Sequence, residues 1–384
     1  MPPRFSWTLL RTSSLVAASL SLAACGGSSN VGTGPPPTPT EFVFASGTSQ
    51  VSALSVDTTT GALTVTGAVQ LSENTTGVVV TPSASFLYLT ENYNGVDGYS
   101  ISPSGALSAI SGSPWLGPEN SYEGGLAVDP SGKFLYAAAL ASPELAGFTI
   151  DKSSGALTAI AGSPFSVGTG PTQPVIDQSG RFLYVSDILD PQGGILGFSI
   201  NPTSGVLTPL SGSPFPTLPQ AEPSGLVSVP SGKFLYAALS NDYSIAAFAI
   251  DPASGALTTV PGSPFVIGAA ASTGYIFGPI ATDPSGNFLY VLSINSSGSS
   301  ISVFAIDPSS GVLTPTNGSP FFVAIGITGG LAVDSSGKFL YIAGGDTSAI
   351  LALSIDGATG AVTPLPGLSL IPDFPINLTT AVVK

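Results

Sequence analysis

The chain is expected to be all-β, a seven-bladed β-propeller of four-stranded blades, and three features of the sequence lead there. The tripeptide Phe-Leu-Tyr recurs six times, at Phe86, Phe134, Phe182, Phe234, Phe288 and Phe339, and Phe42-Val43-Phe44 is a degenerate copy ahead of them. Its central aromatics stand 44, 48, 48, 52, 54 and 51 residues apart. A turn glycine recurs in step seven times, at Gly61, Gly105, Gly155, Gly205, Gly255, Gly311 and Gly360. Self-similarity at this period marks one supersecondary unit repeated in a ring or stack. The composition agrees, since 47 Gly and 35 Pro punctuate segments rich in Val, Ile, Phe, Tyr and Thr, and only 8% of residues are charged.

The N-terminus reads as a targeting segment and stands outside the fold. Arg4 and Arg11 flank a short apolar stretch that ends in Leu22-Ala23-Ala24-Cys25. That ending resembles a bacterial lipobox, which makes residues 1–24 a signal peptide and Cys25 the lipidated first residue of the mature chain. Cys25 is the sole cysteine, so internal disulfides and cysteine-based metal sites or catalysis are excluded. Residues 25–40 then form a Gly/Ser/Pro tether, flexible in its first half and extended in its second. No transmembrane helix is expected in the body. The expected location is the bacterial envelope, on the outer rather than the inner membrane because Gly26 follows the cysteine.

From residue 41 to 384 each copy reads as strand, tight turn, strand, variable loop, strand, tight turn, strand. In Asp129-Pro130-Ser131-Gly132 the aspartate bonds the backbone ahead, proline presets φ, and glycine takes the left-handed position. Asp251-Pro252-Ala253-Ser254-Gly255 repeats the device at the second turn. Phe, Leu and Tyr run consecutively, so the strands are apolar on both faces, as sheets packed on both sides require. The first copy begins at Glu41 with its second strand. The spare strand Pro375 to Val383 should therefore complete blade one and close the ring, removing an aggregation-prone edge.

The segments Val128-Asp129-Pro130-Ser131-Gly132-Lys133-Phe134-Leu135-Tyr136 and Ile150 to Thr158 resemble the seven-bladed β-propeller lactonase family, which includes bacterial 6-phosphogluconolactonases and fungal muconate lactonising enzymes. The resemblance spans about Glu41 to Lys384. It implies a lactonase, and family members often carry a histidine four residues before the first-turn aspartate. Here those positions hold Gly77, Gly125, Gln173, Gly225, Pro279 and Gly330, and the chain has no histidine. No catalytic residue of the family transfers to this chain.

Both tight turns of a blade lie on one face and the variable loops on the other. Lys133, Lys152, Arg181, Lys233 and Lys338 sort to the tight-turn face. The variable-loop face receives carboxylates and no lysine or arginine. The net charge of −14 becomes −16 once Arg4 and Arg11 leave with the signal peptide. A phosphorylated sugar acid needs arginine, lysine or a helix N-terminus, so a neutral ligand is expected instead, a saccharide, a lactone or a protein. Nucleic acid is disfavoured by the charge.

Two classes of function follow. The first is a non-catalytic binding or scaffold module. The second is a hydrolase of a neutral lactone or sugar, in which loop carboxylates Glu119, Glu123, Asp187 and Asp190 would act as acid and base. Candidate ligand-binding aromatics are Tyr93, Tyr122 and Tyr243, which fall off the repeat. No cofactor is expected, nor a metal, since Asp187-Ile188-Leu189-Asp190 lacks calcium-loop spacing. The protein is expected to be a monomer, held to the membrane through Cys25.

Overall fold

The computed structural model describes residues 40–92, 95–115, 124–140, 142–191, 193–267, 274–275, 279–295, 298–324, 329–345, 347–367, 369–371 and 373–383. Cys25 and its tether lie outside them. Among the described residues there is no helix, and strands form seven antiparallel sheets. Each sheet is a blade whose innermost strand lines the propeller axis.

Blade 3 shows the plan: Leu126–Val128, Phe134–Ala139, Glu144–Ile150 and Leu157–Ala159, in spatial order. The ring closes as the sequence predicts. Thr40–Gly47 pairs antiparallel with Pro375–Val383, with Phe44 opposite Thr379, so the C-terminal strand is the innermost strand of blade 1. Glu41 adds a side-chain tie, its carboxylate accepting from the Ser335 amide (2.6 Å) and hydroxyl (3.0 Å) in the first turn of blade 7.

Alternation within Phe-Leu-Tyr supplies both neighbours of a blade at once. Phe134 and Tyr136 pack with Leu183 and Val185 of blade 4, while Leu135 and Ala137 pack with Phe86 and Tyr88 of blade 2. Each phenylalanine also sets a glycine in the next blade. Gly205 has φ +75°, and a Cβ there would lie 2.7 Å from the Phe134 ring. The same phenylalanine–glycine approach recurs at all seven seams, including Phe42 on Gly105 and Phe339 on Gly61. The recurring glycine is therefore required twice, by its left-handed backbone and by the ring pressed against it.

The first-turn aspartates are buried and saturated. Asp129 Oδ1 accepts from the amides of Lys133 and Phe134, both at 2.6 Å. The outer strand is split, which the repeat does not reveal. After Leu257–Thr259 the chain turns through Ser263-Pro264, and Phe265–Val266 pairs again with the third strand. Ser263 Oγ accepts from the Ala247 amide at 2.9 Å, a bond repeated by Ser113, Ser163, Ser213 and Ser319.

Candidate functional site

Strand direction locates the functional face. The first strand of each blade starts at the variable-loop end and runs to the tight-turn end. Residues at its start therefore converge around the axis on the variable-loop side. There they enclose a cavity of about 250 Å³ to which all seven blades contribute. The six positions Gly77, Gly125, Gln173, Gly225, Pro279 and Gly330, distant in sequence, all line it.

Close approach explains the glycines. The Gly125 amide donates to the Thr172 carbonyl (2.7 Å) and the Gly330 amide to the Ile376 carbonyl (2.6 Å), bonds between innermost strands of neighbouring blades. A Cβ on Gly330 would stand 2.9 Å from the Leu378 nitrogen, and one on Gly77 would stand 3.0 Å from the Gly125 Cα. A Cβ on Gly125 would meet the Gln173 amide at 2.5 Å. At Gly77 and Gly330, any larger side chain requires backbone to move.

The polar groups left on the wall are neutral: Thr76, Gln173, Ser224 and Asn377. Most are held by partners. Thr76 Oγ1 donates to the Gly124 carbonyl (3.2 Å), and Ser240 Oγ donates to Ser224 Oγ (2.7 Å). Gln173 Nε2 donates to the Pro174 carbonyl at 3.3 Å. Asn377 Nδ2 is sequestered without a partner, a cost natural folds seldom leave standing. Among the described residues, no lysine, arginine, aspartate or glutamate lines the cavity.

The cations sit at the other end. Lys133 Nζ donates to the carbonyls of Pro202 (2.9 Å) and Thr203 (2.8 Å), and Arg181 Nη2 to that of Ala253 (3.0 Å). Each thereby fastens a tight turn of the following blade, with its charge over its own neighbouring phenylalanine.

Of the carboxylates singled out in the sequence, Glu119 and Glu123 lie outside the described residues. Asp187 is 2% exposed, and its carboxylate accepts from the Thr169 amide (2.7 Å), the Thr169 hydroxyl (2.9 Å) and the Gly170 amide (2.7 Å). It fastens the incoming loop of its blade. Asp190 is partly buried beside Gly194. Neither lines the axial cavity, so the structure does not bring this pair together on the wall. Asp373 does for blade 1 what Asp187 does for blade 4, accepting from Thr48 Oγ1 (2.6 Å) and the amides of Ser49 and Gln50. These bonds outweigh its burial and hold its carboxyl below the usual range.

Of the aromatics, Tyr93 and Tyr122 lie outside the described residues. Tyr243 sits in the left-handed region with φ +52° and packs against the core between blades 5 and 6.

One pair escaped the sequence reading. Asp97 stands in the third strand of blade 2 where four other blades carry Ala146, Leu196, Ala246 and Leu351 and the remaining two carry Ser52 and Ser302. It meets Glu91 side chain to side chain. Burial, the largest effect, pushes the Asp97 carboxyl up to about 6. A hydrogen bond from Ser113 opposes that shift, and the Glu91 charge adds to it. The sign in the sequence was a charged residue at a repeat position that the other six blades leave uncharged.

Among the described residues no group of three or more His, Cys, Asp or Glu side chains is placed to hold a metal ion.

A family model described as lactonase, 7-bladed beta-propeller, matches residues 94–217 and 269–369. Among curated proteins none matches. A solved structure from Bacteroides uniformis, provisionally named a 6-phosphogluconolactonase, superposes with TM-score 0.76 at 18% identity, over 89% of this chain and 99% of that one. A similarly named protein from Bacteroides fragilis gives 0.74 at 20% identity over 90% and 100%. A periplasmic gluconolactonase from Pseudomonas aeruginosa gives 0.72 at 18% identity, again over 90% and 100%. At such identities the likeness establishes the propeller and leaves the chemistry to the site.

Proposed function

The chain belongs to the lactonase family of seven-bladed β-propellers, and from that premise we propose that it is a non-catalytic binding module whose ligand is a small neutral hydroxylated molecule. The observation that carries this reading is the axial cavity. Seven blades converge on it, and every described side chain on its wall is uncharged.

Lactone hydrolysis by acid–base catalysis needs a titratable group within reach of the reacting carbonyl. The wall has hydroxyls, amides and glycine backbone instead. A 6-phosphogluconolactone would bring a dianionic phosphate, which calls for guanidinium, ammonium or a helix N-terminus. Lys133 and Arg181 are spent on turns at the opposite face. A sugar or neutral lactone asks only for neutral donors and acceptors, which the Gln173 amide and the Thr76 and Ser224 hydroxyls supply. With about 250 Å³, the cavity suits something the size of a monosaccharide. Acylation of Cys25, with the 15-residue tether behind it, would hold this module at the outer membrane, as the lipobox-like ending Leu22-Ala23-Ala24-Cys25 suggests.

Family membership favours a second reading, hydrolysis of a neutral lactone by the loop carboxylates. Calorimetric titration with neutral aldonolactones, monosaccharides and their phosphorylated counterparts tests the binding site. Saturable heat is expected from neutral ligands alone, lost in N377A and Q173A. Tighter binding of the phosphorylated series would overturn the proposal.

A further inference from the structure

We propose that Glu91 and Asp97 form a proton-sharing clasp at the seam between blades 1 and 2, which holds the ring more firmly in mildly acidic medium than in neutral or alkaline medium. The placement comes from strand register. Leu89 is opposite Asp97, and Glu91 is opposite Gly95, so the two carboxyls are diagonal neighbours on adjacent strands. Gly95 has no side chain and leaves room for the Glu91 carboxyl to reach across. Leu87 and Leu89 alternate onto the same face as Glu91, and Tyr99 onto the same face as Asp97. All three pack in the core shared with Phe44, Val51 and Ala53 of blade 1. The carboxyls therefore point into that seam, where Glu91 is 1% and Asp97 9% exposed.

The surroundings supply partners that tolerate one negative charge. The Ser72 hydroxyl donates to Glu91 Oε2 at 2.6 Å, reaching across from the loop that joins blades 1 and 2. The Ser113 hydroxyl donates to Asp97 Oδ1 at 2.7 Å while its oxygen accepts from the Gly98 amide at 3.0 Å. No cation faces the pair among the described residues. The blade 1 strands Gln50–Val56 and Leu63–Gln70 carry no ionisable residue, and the turn to Ser113 carries none. The joining loop brings only Glu73, which is exposed, and Tyr99 brings a phenol pushed up by burial and further by the two carboxyls. With one proton between them, the carboxyls make a short charge-assisted bond. With none, two like charges remain in a poorly solvated seam.

The sign follows from Asp97. Its carboxyl titrates from about 6 in the fold against 3.8 when unperturbed, so the folded state holds the proton more tightly. That contribution is complete below about pH 4 and is lost as pH rises through about 6. Blade 1 is where the first and last strands pair, so a weakened seam there bears on ring closure.

The test is thermal unfolding of the full chain at pH 5 and pH 8 for the wild type, D97N and E91Q. The loss of melting temperature between the two pH values should be largest in the wild type and smaller in both variants; equal losses in all three would overturn the clasp. If the variants fail to fold, amide exchange in the wild type decides. Corrected for intrinsic rates, protection of Phe86–Glu91 and Gly95–Ile101 should fall relative to Phe182–Asp187 of blade 4 as pH rises. A uniform change would contradict the proposal.

Discussion

The hydroxyl of Tyr88 donates to the carbonyl of Gly155, 67 residues on and one blade round the ring, at 2.6 Å. Tyr136, Tyr184, Tyr236 and Tyr341 make the same bond to Gly205, Gly255, Gly311 and Gly61. The last of these spans 280 residues and crosses the closure of the ring. The phenylalanine of each Phe-Leu-Tyr thus presses on the turn glycine of the next blade, and in five of the six copies the tyrosine takes hold of that glycine's carbonyl.

Tyr136→Phe should cost about 1–2 kcal/mol, because the Gly205 carbonyl is left unpaired in the seam. Tyr290 is the internal control, since its buried hydroxyl has no partner. Tyr290→Phe should fall within about 0.5 kcal/mol of the wild type. Denaturant midpoints of the two variants measure the difference.

Gly205→Ala should be more damaging than either, at about 3 kcal/mol. The substitution places a Cβ in a left-handed conformation and drives it to 2.6 Å from Ile160 Cδ1 and 2.7 Å from Phe134. A melting curve reads this directly, and a neutral result would contradict it.

The second-turn aspartates should make the fold acid-sensitive. Asp307 accepts from the hydroxyls and amides of Ser309 and Ser310, which hold its carboxyl below the ordinary range; Asp57, Asp151, Asp251 and Asp356 are lowered in the same way by bonds from their own turns. A depressed folded value gives stability that is present above about pH 4 and lost as pH falls. D307N should therefore be less stable than the wild type at pH 7, and the gap should narrow at pH 2. Urea midpoints at the two pH values check the direction.

Removing the closing strand should abolish the ring. A chain ending at Ile371 leaves Thr40–Gly47 without its inner partner Pro375–Val383 and exposes a sheet edge. Loss of cooperative unfolding together with association on a sizing column is the expected outcome.

Much of this architecture was legible in the sequence because it depends on local, repeated chemistry. Turn aspartates and glycines declare themselves by type, and Phe-Leu-Tyr counts the seams. The missing first strand at Glu41 and the spare one at Pro375 foretold closure. The positions before each first-turn aspartate were also legible as a set, and the structure gathers them on one wall. What was hidden depends on register and distance. Asp97 finds Glu91 only once Leu89 and Gly95 are aligned, and Asn377 reaches the cavity only because the last strand becomes the first of its blade. The split outer strand was hidden too: Gly-Ser-Pro recurs with the repeat, but nothing in its residue types says that Phe265–Val266 rejoins the third strand after it.

An axial cavity that binds its ligand without converting it should leave lactones intact. Hydrolysis rates of phosphorylated and neutral lactones, measured from pH 5 to pH 8 with purified protein from Gly26 onward, decide this. Rates equal to the uncatalysed background are expected throughout. Turnover above background that disappears when Glu123 or Asp187 is changed to its amide would contradict it.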